Sequence, residues 1–494
     1  MTRRKAFIIV LSLFFISILL RLPNLNRTIS KHHEFNTAVV LINIQSWRDA
    51  GGGAKFNFVP LLNFQNPGDK LPLKAHYSID SAGNLMYMSF GPAWYIIPYA
   101  MYELFHWPVK PVYLQCINLV FNLASVVLFY YLIVLLIPAA TEKKNIIVIA
   151  VCFLFMYSPG ILWYFGNGYI NIGIMMPFVI ATILLLVPML HSIKNISLGK
   201  SILLSLLIIL LVYFDWFILA LCAAACFHLF FKIKKDKKYL LLLAVVAFSA
   251  TAGVFLLFLQ FASYTGWHAI FEYWSNRFYN RSIMNIDTSF WKMIGYVALN
   301  FITAYLPLFL LILFALLTAR SKKIKLSFSE NEMLFLRIYT ATVVLYNMAL
   351  FEWSYEHEFS VIPWSIPFSY LAGKIIITVF TKKQLYFLIP LFFIATMAQY
   401  YFINRPGKIS REGTPYISYK NFGEALKQVP PDYKIFLDIK QDPMIEYYAE
   451  RNINSLPGIE DAKKYMLKWH ISKAVWVEHN GLEFKKIIIL DPSE

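Results

Sequence analysis

Apolar runs long enough to cross a lipid bilayer recur along the whole chain of 494 residues. A transmembrane helix needs about 20 predominantly apolar residues. Runs of that kind begin near residues 6, 112, 146, 172, 201, 216, 239, 293, 333, 361 and 384. The sequence therefore predicts a polytopic α-helical membrane protein with about 11 transmembrane helices.

The composition agrees with a membrane protein, because 59% of the residues are hydrophobic and 15% are charged. Soluble domains are about half apolar and about a quarter charged. The net charge of +17 comes largely from short Lys and Arg runs between the apolar segments, which membrane topology explains, and no Gly-rich phosphate loop appears. Nucleic acid is therefore not expected as a partner. The first apolar run lacks a small-x-small cleavage site and is interpreted as an uncleaved helix.

The apolar stretch "FGPAWYIIPYAMYELF" (90–105) decides the topology. If it does not cross the membrane, all the basic loops fall on the cytoplasmic side with the N-terminus, as the positive-inside rule requires. Residues 21–111 then form one long outer loop with two juxtamembrane helices, at 34–47 and 90–105. The predicted domains are a transmembrane domain (1–402) and, on the outer side, a small α/β domain (403–494) in which helix and strand patterns alternate.

The polar residues of interest lie in the predicted outer segments. His32, His33 and Glu34 precede the first juxtamembrane helix. Glu34 is either a helix N-terminal acid favoured by the macrodipole or a catalytic base or metal ligand. The two histidines and the glutamate have no defined metal-ligand spacing.

Three further outer segments carry candidate residues. Arg277 and Arg281 would share a face of a helix and suit a phosphate, or else they reach lipid headgroups. Asn171 follows a turn between two spans, and His357 lies among Glu352, Glu356 and Glu358 at another membrane boundary.

In this order, these stretches resemble the GT-C fold glycosyltransferases that use polyprenyl-phosphate sugars, the family of the lipid A aminoarabinose transferases and protein O-mannosyltransferases. Glu34 lies where the family carries an acidic residue, and 90–105 is similar to its second juxtamembrane helix. "SPGILWY" (158–164), "EHEFSVIPWSIPF" (356–368) and "YYAERNI" (447–453) resemble further family segments. Asn171 departs from the pattern, because relatives often have Asp there.

The resemblance implies an inverting glycosyltransferase in the bacterial inner (plasma) membrane, which moves a sugar from a polyprenyl-phosphate donor to a hydroxyl acceptor at the outer face. Glu34 would be the general base, with His32 or His33 hydrogen-bonded to it or to the acceptor. Arg277, Arg281 and His357 would stabilise the lipid phosphate. Asn171 would contact the substrate.

The expected partners are the lipid-linked donor, a lipid, glycan or protein acceptor, and membrane lipids. No cofactor is assigned, and a divalent cation remains an open alternative. Two other functions stay open, a membrane transporter or flippase and a non-catalytic polysaccharide-assembly partner. An enzyme of this kind requires Glu34, the two arginines and His357 to converge on one outer cavity, which would separate it from these alternatives.

Overall fold

The computed structural model describes residues 1–29, 34–70, 77–141, 143–166, 168–282, 289–402, 416–439 and 442–491. The chain divides into two compact units. Unit 1 comprises Met1–Leu25, Gln115–Phe258 and Asn276–Asn404, and unit 2 comprises Asn26–Leu114, Leu259–Ser275 and Arg405–Glu494.

Most of the described chain is helical. In chain order the α-helices are α1 (Arg3–Arg21), α2 (Phe35–Asp49), α3 (Ala93–Leu104), α4 (Pro111–Leu136), α5 (Lys144–Met156), α6 (Pro159–Tyr164), α7 (Asn171–His191), α8 (Leu198–Val212), α9 (Phe217–Ile233), α10 (Tyr239–Thr265), α11 (Trp267–Arg281), α12 (Phe290–Ser321), α13 (Glu330–Ala349), α14 (Phe351–Glu356), α15 (Ser365–Val379), α16 (Lys382–Phe402), α17 (Tyr416–Leu426), α18 (Pro443–Ala449) and α19 (Ile459–Lys468).

The membrane-spanning segments can be compared with the predicted ones. Within the described residues, six helical segments are long and apolar enough to cross a membrane: Arg3–Asn24, Pro111–Leu136, Asn171–His191, Tyr239–Thr265, Phe290–Ser321 and Glu358–Val379. The apolar helices α5, α8 and α9 are shorter. A helix begins within a few residues of every predicted start. The multi-pass membrane architecture is therefore confirmed, while the number of spans and their orientation stay predictions.

Side-chain caps lie at the starts of α13 and α18, in addition to the Thr2 cap of α1. Ser329 and Glu332 form a capping box at α13, because the Ser329 hydroxyl accepts from the Glu332 N–H while the Glu332 carboxylate accepts from the Ser329 N–H. At α18, Asp442 accepts from the Met444 N–H at 2.9 Å and Pro443 occupies the first turn. The Asp-Pro pair therefore marks the start of α18.

Unit 2 contains a four-stranded sheet formed by the C-terminal part of the chain. Its strands are β1 (Lys434–Leu437), β2 (Asn454–Ser455), β3 (Ala474–Asn480) and β4 (Glu483–Leu490). They lie in the order β2-β1-β3-β4, with β1 parallel to both neighbours and β4 antiparallel to β3. Phe436, Met466 and Trp476 lie in the hydrophobic core of this segment. The predicted alternation of helices and strands is observed, and the predicted boundary at 403 lies outside the described residues.

The first loop also belongs to unit 2, and both of its predicted juxtamembrane helices form, as α2 and α3. Trp47 of α2 is fully buried, and its ring packs edge-on against Phe58 and Tyr99. Its indole N–H donates to the Val59 carbonyl at 3.3 Å. Helix α2 packs against both α3 and α18, so the start of α2 is held between the loop and the C-terminal segment.

Candidate functional site

Glu34 forms a buried ion pair at the start of α2. Its carboxylate accepts two hydrogen bonds from the Arg27 guanidinium, Nη2 to Oε1 at 2.8 Å and Nη1 to Oε2 at 2.9 Å. The exposed fractions of the side chains are 4% for Glu34 and 10% for Arg27. Glu34 occupies the N-cap position of α2, yet its side chain makes no capping hydrogen bond. The pairing with Arg27, rather than helix capping, therefore explains where this carboxylate lies.

Tyr448 of α18 lies beside this pair. Its hydroxyl accepts a hydrogen bond from the Ile29 N–H at 2.7 Å. Burial raises the pKa of the Tyr448 phenol to about 12, and the charge of Glu34 adds to the rise while Arg27 opposes it. Tyr448 therefore stays a neutral phenol at physiological pH and can act as a hydrogen-bond donor.

The other members of the "YYAER" run hold the C-terminal segment to the first loop within unit 2. The Tyr447 hydroxyl donates to the Val109 carbonyl at 3.0 Å. Arg451 donates to the Asp69 carboxylate from Nε at 3.1 Å and from Nη2 at 2.6 Å, and both side chains are buried. Because this ion pair joins residues far apart in the chain, the run has a structural role that its local pattern did not indicate.

The two predicted histidines, His32 and His33, lie outside the described residues. Among the residues that the structure describes, no group of three or more His, Cys, Asp or Glu side chains is arranged to hold a metal ion. At Glu34 the Arg27 guanidinium pairs with both carboxylate oxygens. The divalent cation that the sequence left open stays an untested alternative.

Arg277 and Arg281 both lie on α11, four residues apart, so the helix that their spacing required is observed. Arg281 Nη1 contacts two carboxylates of α14, Glu352 Oε2 at 2.9 Å and Glu356 Oε2 at 3.0 Å. One guanidinium nitrogen is thus shared between two carboxylates. An anion that binds at Arg281 Nη1 would displace one of these partners.

The groups around Glu352 shift the pKa of its carboxyl group. Partial burial raises its pKa above the ordinary value for a glutamate, and the neighbouring Glu356 raises it further, while Arg281 opposes both effects. As pH falls, Glu352 therefore takes up a proton earlier than an ordinary glutamate does.

His357 follows α14 in an aromatic environment. Its ring stacks on Phe359, with centroids 5.0 Å apart and planes within 13°, and meets the edge of Trp353 at 5.8 Å. These two rings fix the plane of the imidazole, and the chain provides His357 as an oriented polar group at this boundary.

Asn171 starts α7 and donates its side-chain N–H to the Asp215 carboxylate. Asp215 lies in the turn between α8 and α9, where its other oxygen accepts from the Phe217 N–H at 2.9 Å. Both side chains are buried. The sequence placed an amide at 171 where relatives often have an acid, and the structure puts an acid directly against that amide.

The predicted site residues thus fall into separate local groups. Arg27 and Tyr448 join Glu34 in unit 2, and both were missed as site residues. Glu352 and Glu356 join Arg281 in unit 1, and the sequence had singled them out without pairing them with this arginine. Arg27 carried a usable signal, because an arginine in a predicted outer segment departs from the positive-inside pattern as Arg277 and Arg281 do. The convergence of all these residues on one cavity stays a prediction.

The chain was compared with known proteins, and no family model and no curated protein matches it. Solved structures do match. ArnT from Cupriavidus metallidurans, bound to undecaprenyl phosphate, aligns over 95% of this chain and 93% of its own length, with a TM-score of 0.61 and 10% identity. The chain has the GT-C fold.

Oligosaccharyltransferase structures from Archaeoglobus fulgidus support the same assignment of fold. The apo enzyme aligns over 96% of this chain and 70% of its own, with a TM-score of 0.58 and 14% identity. The archaeal oligosaccharyltransferase AglB, in complex with an inhibitory peptide and a dolichol-phosphate, aligns over 96% and 69%, with a TM-score of 0.57 and 14% identity. The GT-C resemblance predicted from the sequence is confirmed as a shared fold.

Proposed function

We propose that this GT-C-fold protein is an inverting glycosyltransferase, which moves a sugar from a polyprenyl phosphate to a hydroxyl acceptor at the outer face of the membrane. The observation that carries the proposal is the buried, bidentate Glu34–Arg27 pair at the start of α2. The donor class is supported by two structures that share the fold, since undecaprenyl phosphate and dolichol phosphate are both polyprenyl phosphates.

In the proposed step, the acceptor hydroxyl oxygen forms a bond to the anomeric carbon of the sugar. The bond from that carbon to the phosphate oxygen breaks, and its electron pair leaves with the lipid phosphate. Attack on the face opposite the leaving group inverts the anomeric configuration. Glu34 takes the proton of the hydroxyl, a role that typically contributes about 10²–10⁴-fold to the rate.

A general base must be ionised and held in place, and burial alone would oppose ionisation. Arg27 offsets this penalty, because its guanidinium supplies two aligned donors to the Glu34 carboxylate. Tyr448 then acts as a positioning residue, since its hydroxyl fixes the backbone at Ile29, between Arg27 and Glu34 in the chain.

The lipid phosphate is assigned to Arg277 and Arg281, with His357 as a further donor. Arg281 would exchange a carboxylate partner for the phosphate when the donor arrives, and the raised pKa of Glu352 makes that carboxylate the easier one to neutralise. Asn171 stays a proposed substrate contact, in this chain together with Asp215.

Glycan and lipid profiling of a deletion strain tests the proposed activity and identifies the acceptor. We expect one sugar modification to disappear and a polyprenyl-phosphate sugar to accumulate. Wild-type chain and Glu103→Gln should restore the modification, since Glu103 is also a carboxylate paired with an arginine in the first loop. Glu34→Gln should not restore it. Full restoration by Glu34→Gln would remove the general base from the proposal.

A proteoliposome assay distinguishes the competing transport function from glycosyl transfer. In proteoliposomes, a flippase would move a labelled polyprenyl-phosphate sugar between leaflets without releasing free polyprenyl phosphate. Such movement by the wild-type chain, with no change in the profile of the deletion strain, would contradict glycosyl transfer.

A further inference from the structure

Unit 2 contains a cleft of about 650 Å³ between the first loop and the C-terminal segment. That volume lies within the range of about 300–1,000 Å³ that is usual for small-molecule sites. Gln65 and Lys70 line it from the loop. Lys434, Trp469 and Lys473 line it from the C-terminal segment. The lining includes none of the predicted site residues that the structure describes.

The lysines of the cleft are held mainly by uncharged oxygens. Lys70 Nζ donates to Gln65 Oε1 at 3.0 Å and to Asn84 Oδ1 at 2.5 Å. Lys434 Nζ donates to the Gly68 carbonyl at 3.0 Å and also to the Lys70 carbonyl. Their positive charges are thus fixed in position, while amide dipoles rather than carboxylates accept the hydrogen bonds.

The third lysine has a carboxylate partner at the exposed edge of the cleft. Lys473 Nζ lies 2.5 Å from Asp432 Oδ2, and both side chains are about half exposed. Among the lining residues, three lysines therefore face one acidic residue, Asp432. The lining therefore holds more lysines than carboxylates, while Asp80 and Asp69 act on Lys70 and Lys434 from outside it.

Burial makes these charges costly. It lowers the pKa of both Lys70 and Lys434, because desolvation disfavours the ammonium form, while Asp80 and Asp69 partly oppose the effect. A ligand anion placed among the ammonium groups would offset that cost and form charge-assisted hydrogen bonds.

The rest of the lining suits a sugar. The lining includes the half-buried Trp469, which contributes apolar surface, and Gln65, Ser81 and Ser472, whose amide and hydroxyl groups can both donate and accept. Sugar rings combine apolar C–H faces with hydroxyl rims, so this mixture of groups complements them. We propose that the cleft is a binding site for an anionic saccharide, a sugar that carries a phosphate or carboxylate group.

Binding to the full-length chain in nanodiscs tests this inference without any transfer reaction. Isothermal titration would compare digalacturonic acid, glucose 6-phosphate, neutral maltose and inorganic phosphate. A charge-assisted hydrogen bond contributes about 1.5–3 kcal/mol, so an anionic sugar should bind about tenfold or more tightly than maltose. Whichever of the two anionic sugars binds more tightly shows whether the cleft prefers a carboxylate or a phosphate group. Equal affinity for maltose would overturn the charge argument, and inorganic phosphate binding as tightly as both anionic sugars would overturn the saccharide class.

Two variants locate the binding in the cleft. Lys473→Glu reverses a charge at its edge, and Ala82→Trp fills it from an exposed lining position. Both should weaken binding of the anionic sugar by about tenfold or more. Lys464→Glu, an exposed lysine of α19 outside the lining, is the matched control and should bind as the wild type does. Wild-type affinity in both cleft variants would overturn the proposal.

Discussion

Two arginines of this protein meet carboxylates in contrasting ways. In unit 2, Arg27 pairs with the single carboxylate of Glu34, and both side chains are almost fully buried. In unit 1, Arg281 meets two carboxylates, and the side chain of Glu356 is 42% exposed. The first pair is one-to-one and shielded from water. In the second, one arginine nitrogen is shared between two carboxylates, and water screens part of the cluster.

This difference suits the two roles that the family resemblance implies, a general base at Glu34 and phosphate binding at Arg281. A balanced, buried pair keeps one carboxylate ionised and oriented, which suits a group that must accept a proton. An arginine shared between two carboxylates, one of them 42% exposed, changes partners more easily than an arginine in a buried one-to-one pair. Arg281 is therefore the better candidate for binding a phosphate that must later be released. Glu34 is the better candidate for a general base held in a fixed position.

The largest expected effect comes from breaking the buried pair. Arg27→Ala leaves the Glu34 carboxylate buried without its partner, and the loss of one partner of a buried ion pair costs about 3–5 kcal/mol. We expect the free energy of unfolding of the purified chain to fall by that amount and transfer to be lost. Thermal unfolding in nanodiscs measures the first effect.

Arg27→Lys separates the effect of charge from the effect of bidentate geometry at the same pair. Lysine keeps the charge but replaces the two-pronged guanidinium by a single ammonium. We expect partial recovery of stability with transfer still well below wild type, because Glu34 is no longer held from both oxygens. Wild-type transfer by Arg27→Lys would show that the bidentate geometry is not needed.

A smaller effect is expected at the Arg281 cluster, where one substitution should raise donor affinity rather than impair the protein. Glu352→Gln removes a carboxylate that competes for Arg281, so affinity for a polyprenyl-phosphate sugar should rise by up to about fivefold. Arg281→Ala should lower that affinity. Weaker donor binding by Glu352→Gln would contradict the exchange of partners at Arg281, and so would unchanged affinity in Arg281→Ala.

The raised pKa of Glu352 gives this prediction a pH dependence. As pH falls, Glu352 is protonated earlier than an ordinary glutamate, its competition for Arg281 ends, and donor affinity should increase. The phosphate diester of the donor keeps its charge over the same range. Titrations at several pH values should show this increase in the wild type and a flatter profile in Glu352→Gln.

The smallest effect is expected at the other arginine–glutamate pair of the first loop, between Arg48 and Glu103. The side chain of Glu103 is 43% exposed, and the Arg48 Nε to Glu103 Oε1 distance is 2.5 Å. Because solvent screens this pair, Glu103→Gln should lower the free energy of unfolding by about 1 kcal/mol or less. A loss as large as that of Arg27→Ala would show that burial does not distinguish the two pairs.

Local features of this structure could be predicted from the sequence. The starts of the apolar helices follow from runs of apolar residues, and α18 follows from its Asp-Pro cap, because both depend on neighbours in the chain. Helices α2 and α3 were placed by charge asymmetry between the loops and form where predicted. These signals are short-range, so one sequence was enough.

The partners of the site residues depend on contacts that no local pattern encodes. Arg281 meets Glu352 across 71 residues of sequence, and the Ile29 N–H meets Tyr448 across 419. Even Arg27 and Glu34 lie seven residues apart, a spacing from which the sequence alone predicts no pairing. Asn171 illustrates the same limit, because its hydrogen-bond partner Asp215 lies 44 residues away in the chain.

The central claim is that the Glu34 carboxylate accepts the proton of the acceptor hydroxyl. Single-turnover transfer from a bound polyprenyl-phosphate sugar to the acceptor identified by profiling tests it directly, with Glu34→Gln and Glu103→Gln compared in nanodiscs. We predict that both variants bind the donor as the wild type does, that Glu103→Gln transfers normally, and that Glu34→Gln transfers about 10²–10⁴-fold more slowly. Transfer by Glu34→Gln at the wild-type rate would contradict the account.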